Sequence, residues 1–158
     1  MGSSPIDSTN KIRCMDKNWN YYGVFFDSNT REKLIHKANE INEIPDDWIL
    51  YADHMTIVYN DGDEGKQKRA DELRSEIGNP VQLHITSIGI SDEAIAFGID
   101  NFNTQNEHSH VTIATAPNSK PVKSNEIAKW LPIDGFIVIG KINFKPKRKW
   151  RLKHITKY

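Results

Sequence analysis

A chain of 158 residues with 21 basic and 21 acidic side chains suits one compact domain with a real core. No apolar run reaches the length of a membrane-spanning helix, and Cys14, the single cysteine, rules out an internal disulfide or a cysteine zinc cage and suits a reducing compartment. The overall neutrality hides a polarity: residues 1–100 hold 10 basic and 18 acidic side chains, and residues 101–158 hold 11 and 3.

In chain order, residues 1–18 begin "MGSSPIDSTN", without the apolar centre of a signal peptide, and are expected to be a flexible leader. "NYYGVFF" reads as a buried strand on which Tyr21 and Tyr22 point to opposite sides, so one enters the core and the other is free to stack on a base. "DSNTREKLIHKANEIN" places Leu34, Ile35, Ala38 and Ile41 at helical spacing, with Asn29 and Glu32 as its start signal. "WILYADHMTIVY" reads as one strand. "EGKQKRADELRSEIG" reads as a helix with Ala70, Leu73 and Ile77 inward and Gly78 ending it.

"PVQLHITSIGI" and "EAIAFGI" form a hairpin pattern, with Gln82, His84 and Thr86 on the polar face of the first strand and Val81, Leu83 and Ile85 opposite. "SHVTIAT" is a short strand, "SNEIAKWL" a short helix capped by Ser124, and "GFIVIGKINF" a long last strand. Ser124 also heads a segment whose amides are able to hold an anion. The tail carries Lys145, Lys147, Arg148, Lys149, Arg151 and Lys153 beside Trp150. It reads either as a polyanion contact or as a lysine-protected strand edge.

One spacing stands out. A threonine follows two residues after His54, His84, His110 and His154, whereas six histidines and eight threonines predict about 0.3 such triplets by chance. On a strand, residues i and i+2 share a face. His54 and Thr56 therefore stand together against Met55 and Ile57, and His110 and Thr112 against Val111 and Ile113.

If the two strands face one cleft, two imidazoles with ordinary pKa values near 6.5 can act as base and acid on a phosphodiester. The hydroxyls would then donate to the non-bridging oxygens. Each histidine has a plain alternative as a strand residue, and each threonine as a β-branched strand former. His154 lies in the tail and is read as accidental. His108 and His110 would suggest a metal pair, but no third ligand is evident, and no metal or cofactor is expected.

Paired H-x-T motifs resemble the 2H phosphoesterase superfamily over roughly residues 20–145. "YYGVFF", "AIAFGI" and "HVTIATAPNSKPVKSNEI" resemble the cyclic phosphodiesterase domain of fungal and plant tRNA ligases. The resemblance implies an α+β, bilobal fold with two pseudo-symmetric antiparallel-sheet lobes and outer helices around a central cleft, here over residues 19–158. It implies His54, Thr56, His110 and Thr112 as the catalytic quartet, and Tyr21, Tyr22, His84, Thr86 and Ser124 stand as candidate substrate contacts.

The implied reaction opens a 2′,3′-cyclic phosphate to a 2′-phosphate, water attacking and the 3′ oxygen leaving, with His110 as base and His54 as acid. A 2′-5′-linked or cyclic oligonucleotide is the other substrate of this chemistry. A chain of this length has no room for ligase and kinase domains, so a stand-alone enzyme of the cytoplasm or nucleus is expected, acting on an RNA terminus or small nucleotide and without an obligate protein partner. The alternatives are a non-catalytic module that binds RNA ends through the cleft and basic tail, and a metal-dependent hydrolase built on His108 and His110.

Overall fold

The computed structural model describes residues 17–147. The leader up to residue 16 and the tail from Arg148 onward, including Lys149, Trp150, Arg151, Lys153 and the His154/Thr156 triplet, lie outside the described residues. The elements run β1 (Trp19–Phe25), α1 (Ser28–Ile41), β2 (Ile49–Leu50), β3 (His54–Tyr59), α2 (Glu64–Arg74), β4 (Pro80–Ile90), β5 (Ala94–Ile99), β6 (His110–Thr115), a 3-10 helix (Pro121–Glu126) and β7 (Trp130–Pro146).

Among the described residues seven strands join one sheet in the order β2-β6-β5-β4-β7-β1-β3, and each of these pairings is antiparallel. Two pseudo-symmetric lobes are not distinguished within it. β7 accounts for the continuity: its residues from Trp130 to Lys141 pair with β4, and those from Lys141 to Pro146 pair with β1. The two edge strands, β2 and β3, are separated in sequence by residues 51–53 alone. Three residues span little more than about 10 Å, so the sheet must curl until its edges meet.

α1 buries Leu34 and Ala38, and α2 buries Ala70 and Leu73. They share a core with Met55, Ile57, Leu83, Ile85, Val111, Ile113, Val138 and Ile142 of the sheet. α1 begins ahead of the Asn29 signal, capped by Asp27, which accepts from the Thr30 amide at 2.8 Å, whereas α2 begins at Glu64 as expected, capped by Asp63. Ile41 and Ile77 are exposed at and beyond the helix ends.

Two expected elements break. The single strand across "WILYADHMTIVY" is interrupted at Ala52, which adopts a left-handed φ of 58°. "SNEIAKWL" is no α-helix: the turn stops at Glu126, Ile127 is extended, and Trp130 starts β7. Pro132 disfavours helical geometry just before it, and the Trp130 indole takes up the Ile127 carbonyl at 3.1 Å. Among the described residues no helix is long and apolar enough to cross a membrane.

Candidate active site

The cleft forms where β2 leaves β6. Ile49 pairs with Thr115 and Leu50 with Ala114, and the amides of Tyr51 and Ala52 donate to the carbonyls of Ile113 and Thr112 at 2.8 and 2.9 Å. Continuing that register would set His54 opposite His110. Instead the left-handed turn at Ala52 swings the chain onto β1, where Phe25 pairs with His54.

Two strands that begin hydrogen-bonded thus open a gap between two histidines, while Cα atoms of β3 and β6 still come within 8 Å of one another. Ala52 in this conformation costs about 1–2 kcal/mol. Arg31 of α1 secures the bend: its Nε donates to the Tyr51 carbonyl at 2.6 Å and its guanidinium reaches the Leu50 carbonyl at 3.4 Å.

A cavity of about 650 Å³ occupies the gap, and His54, Thr56, His110 and Thr112 all line it. The alternation read from the sequence is what the strands adopt, since Met55, Ile57, Val111 and Ile113 are buried behind them. His54 Nδ1 lies 2.9 Å from Asp53 Oδ1 and its Nε2 lies 3.1 Å from the Thr56 hydroxyl. A carboxylate only accepts, so Nδ1 carries a hydrogen and Nε2 is left for chemistry.

The bond to His54 holds the Asp53 carboxyl below its ordinary pKa against the opposing effect of burial. The His54 ring packs against two aromatics of β1, Tyr21 at 4.8 Å and Phe25 at 5.4 Å. Burial, with the charges of Asp53 and Tyr59 adding, pushes the Tyr21 phenol up to about 12. Tyr21 therefore stays a neutral hydrogen-bond donor on the cavity wall.

His110 sits in a different environment. It is 9% exposed, and its Nδ1 donates to the His108 carbonyl at 2.7 Å. That bond assigns the neutral tautomer, with the proton on Nδ1 and the lone pair on Nε2. Burial pulls the His110 pKa down. The charges of His108 and His54 pull the same way and the His108 carbonyl opposes them, so at neutral pH this ring is a free base.

Thr112 is bonded in turn: its hydroxyl and that of the buried Ser124 lie 2.8 Å apart. Trp130 backs this side. It stacks on His108 at 5.0 Å and stands 6.4 Å from His110. The indole fits because Gly89 and Gly98 face it; a Cβ on Gly89 would sit 2.7 Å from its Cζ3.

Other expected contacts fall elsewhere. Tyr22 is 2% exposed and stacks on Phe144 in the core at 5.2 Å, because the side of β1 that faces the cavity carries Tyr21. His84 and Thr86 do not line the cavity; their strand pairs with β5 and β7 in mid-sheet, away from β3 and β6. Ser124 reaches the site through Thr112 and lines a smaller adjoining cavity.

The larger cavity is also lined by Asp53, Tyr51, Tyr59 and Lys120, which the sequence pattern does not single out, by Asn125, which pattern places beside Ser124 at a turn able to hold an anion, and by Lys145, which pattern places only in the tail. Asp53 carried a signal in its place directly before the motif. Among the described residues, no cluster of three His, Cys, Asp or Glu side chains is arranged to hold a metal ion.

Comparison with known proteins supplies the family. The model of the fungal tRNA ligase phosphodiesterase domain matches residues 33–143, which include both H-x-T motifs. No curated protein matches the sequence. Among solved structures the chain is similar to E. coli LigT complexed with NADP+, with a TM-score of 0.46 and 14% identity over 83% of this chain and 95% of that one. The chain therefore belongs, on the match over residues 33–143, to the fungal tRNA ligase phosphodiesterase domain family.

Proposed function

We propose that this phosphodiesterase hydrolyses a 2′,3′-cyclic phosphate, at an RNA end or on a nucleotide, to a 2′-phosphate and a free 3′-hydroxyl. The observation that carries the reading is the pair of imidazoles on one cavity in unlike settings: a buried, neutral His110 with its Nε2 lone pair free, and His54 held by an ionised carboxylate. His110 Nε2 takes a proton from water as the water oxygen attacks phosphorus. His54 Nε2 gives its proton to the 3′ oxygen as that bond breaks, and the two rings then exchange protons with solvent to reset.

Hydroxyls of Thr56 and Thr112 donate to the non-bridging oxygens as charge gathers there. Lys120 and Lys145, both on the cavity wall, add positive charge where an anionic substrate must sit. Hydrolysis of 2′-5′-linked oligonucleotides would use the same groups. The reading places the enzyme in the cytoplasm or nucleus, where a lone thiol stays reduced.

The test is turnover of a 2′,3′-cyclic nucleotide in EDTA, with product isomers assigned. Each general acid or base contributes about 10²–10⁴ in rate, so His54→Ala and His110→Ala are each expected to lose that much. Turnover by both variants at the wild-type rate overturns the mechanism. Tight, salt-sensitive RNA-end binding with no product would favour a binding module instead.

A further inference from the structure

Beside the catalytic cavity lies a smaller one of about 250 Å³. The two share Gln105, Asn106 and Asn125 on their walls, so they adjoin. The smaller one differs in chemistry: its ionisable lining groups are Glu107 and His108, and it has no lysine or arginine. A second phosphate would find a carboxylate there. A neutral planar group would find carboxamides able both to donate and to accept, and a flat ring to lie on.

That ring is His108. One of its faces rests on Trp130 at 5.0 Å and 17° from parallel, while the residue as a whole is exposed at the rim of the cavity. Trp130 is itself fixed, by the glycine-lined seat and by its Nε1 bond to Ile127. The imidazole is thus a backed platform with its outer face unused. The mechanism uses the His108 carbonyl but not its ring.

We propose that the smaller cavity is a second base site, which holds the nucleobase 5′ of the nucleotide carrying the cyclic phosphate by stacking it on the His108 ring backed by Trp130. This rests on the cyclic-phosphate reading of the larger cavity and narrows it: the substrate is an oligonucleotide end rather than a free cyclic nucleotide. The linking phosphate crosses where the two cavities share their carboxamide wall.

The experiment compares kcat/KM on a 2′,3′-cyclic mononucleotide and on a dinucleotide ending in the same cyclic nucleotide, for wild type, His108→Ala and His108→Phe. Calorimetric binding of the two 2′-phosphate products runs in parallel. One stacked base is expected to give wild type a preference of about tenfold for the dinucleotide. His108→Ala should bring the ratio of the two substrates to about one, and His108→Phe, which keeps a flat ring, should retain it.

Equal use of both substrates by wild type, or a proportional loss on both in His108→Ala, overturns the second base site. The latter result would assign the ring to positioning His110. If wild type turns over neither substrate, the cyclic-phosphate reading fails by itself and calorimetry decides the base site. A His108-dependent preference for the dinucleotide product supports it, and equal affinity overturns it.

Discussion

Replacing Asp53 with asparagine keeps a hydrogen-bonding side chain of the same shape beside His54 Nδ1 and removes only the charge. If His54 delivers the proton to the leaving oxygen, its ring is positive before the transfer, and the carboxylate 2.9 Å away is its counter-charge. Two unit charges about 4 Å apart attract by about 1 kcal/mol in water and about 4 kcal/mol at an effective dielectric of 20. The Asp53 side chain is 58% exposed and that of His54 24%, so solvent screening places the loss in the lower half of that range, about 1–2 kcal/mol.

That is about 5–30-fold in kcat. The assay pairs the 2′,3′-cyclic nucleotide, whose alkoxide leaving group needs a proton, with a nitrophenyl phosphodiester of the same nucleoside, whose leaving group does not. Asp53→Asn should slow the first and spare the second, as should His54→Ala, whereas His110→Ala should slow both. Equal losses on the two substrates in Asp53→Asn would refute the assignment of His54 as acid and of Asp53 as the residue that positions it.

His110 makes a pH prediction with a definite sign. Its pKa is depressed from 6.5, so the acid limb of kcat/KM should have its midpoint below that value; a midpoint above it would count against His110 as the base. The same depression links to stability: the unfolded chain binds the proton first, so stability should be complete above pH 6.5 and fall as the pH drops through the lower folded value, a slope that His110→Asn should flatten in thermal unfolding. Ser124→Ala removes the partner that fixes the Thr112 hydroxyl and should lower kcat about 2–10-fold, the worth of one hydrogen bond, with KM little changed; an unaltered kcat would reduce the pair to packing. Gly98→Ala would drive a methyl against Ser87 Oγ and to 3.3 Å from Trp130 Cζ3, an overpacking cost of about 1–3 kcal/mol read as a lower urea midpoint, and adding Ser87→Gly should restore much of it.

The faces of the two motif strands were legible because alternation is local. His54 with Thr56, and His110 with Thr112, share a side whatever the rest of the chain does, and the apolar residues between them say which side is core. Helix existence was legible for the same reason in "REKLIHKA" and "KRADEL", although the caps lay at Asp27 and Asp63, where a side chain happened to reach the third amide. The helix expected at "SNEIAKWL" failed because its apolar spacing serves another end. Ile127 and Trp130 pack together on the glycine seat with Ala94 and Ala96, and Trp130 is already a strand residue.

What pattern alone determined, then, was two histidine–threonine edges on two strands, and a family likeness built on them. Whether those edges meet was decided by contacts distant in sequence. Ala52 turns left-handed because Arg31 grips the carbonyls before it and Thr112 receives its amide, and neither partner can be read from "WILYADHMTIVY". The same folding step chose Tyr21 over Tyr22 for the cavity, brought Lys145 beside Tyr21 through the β1–β7 register, and buried His110 more deeply than His54. Burial and charge environment are properties of the closed sheet, so the unlike settings of the two imidazoles could not be written in a motif that spells both alike.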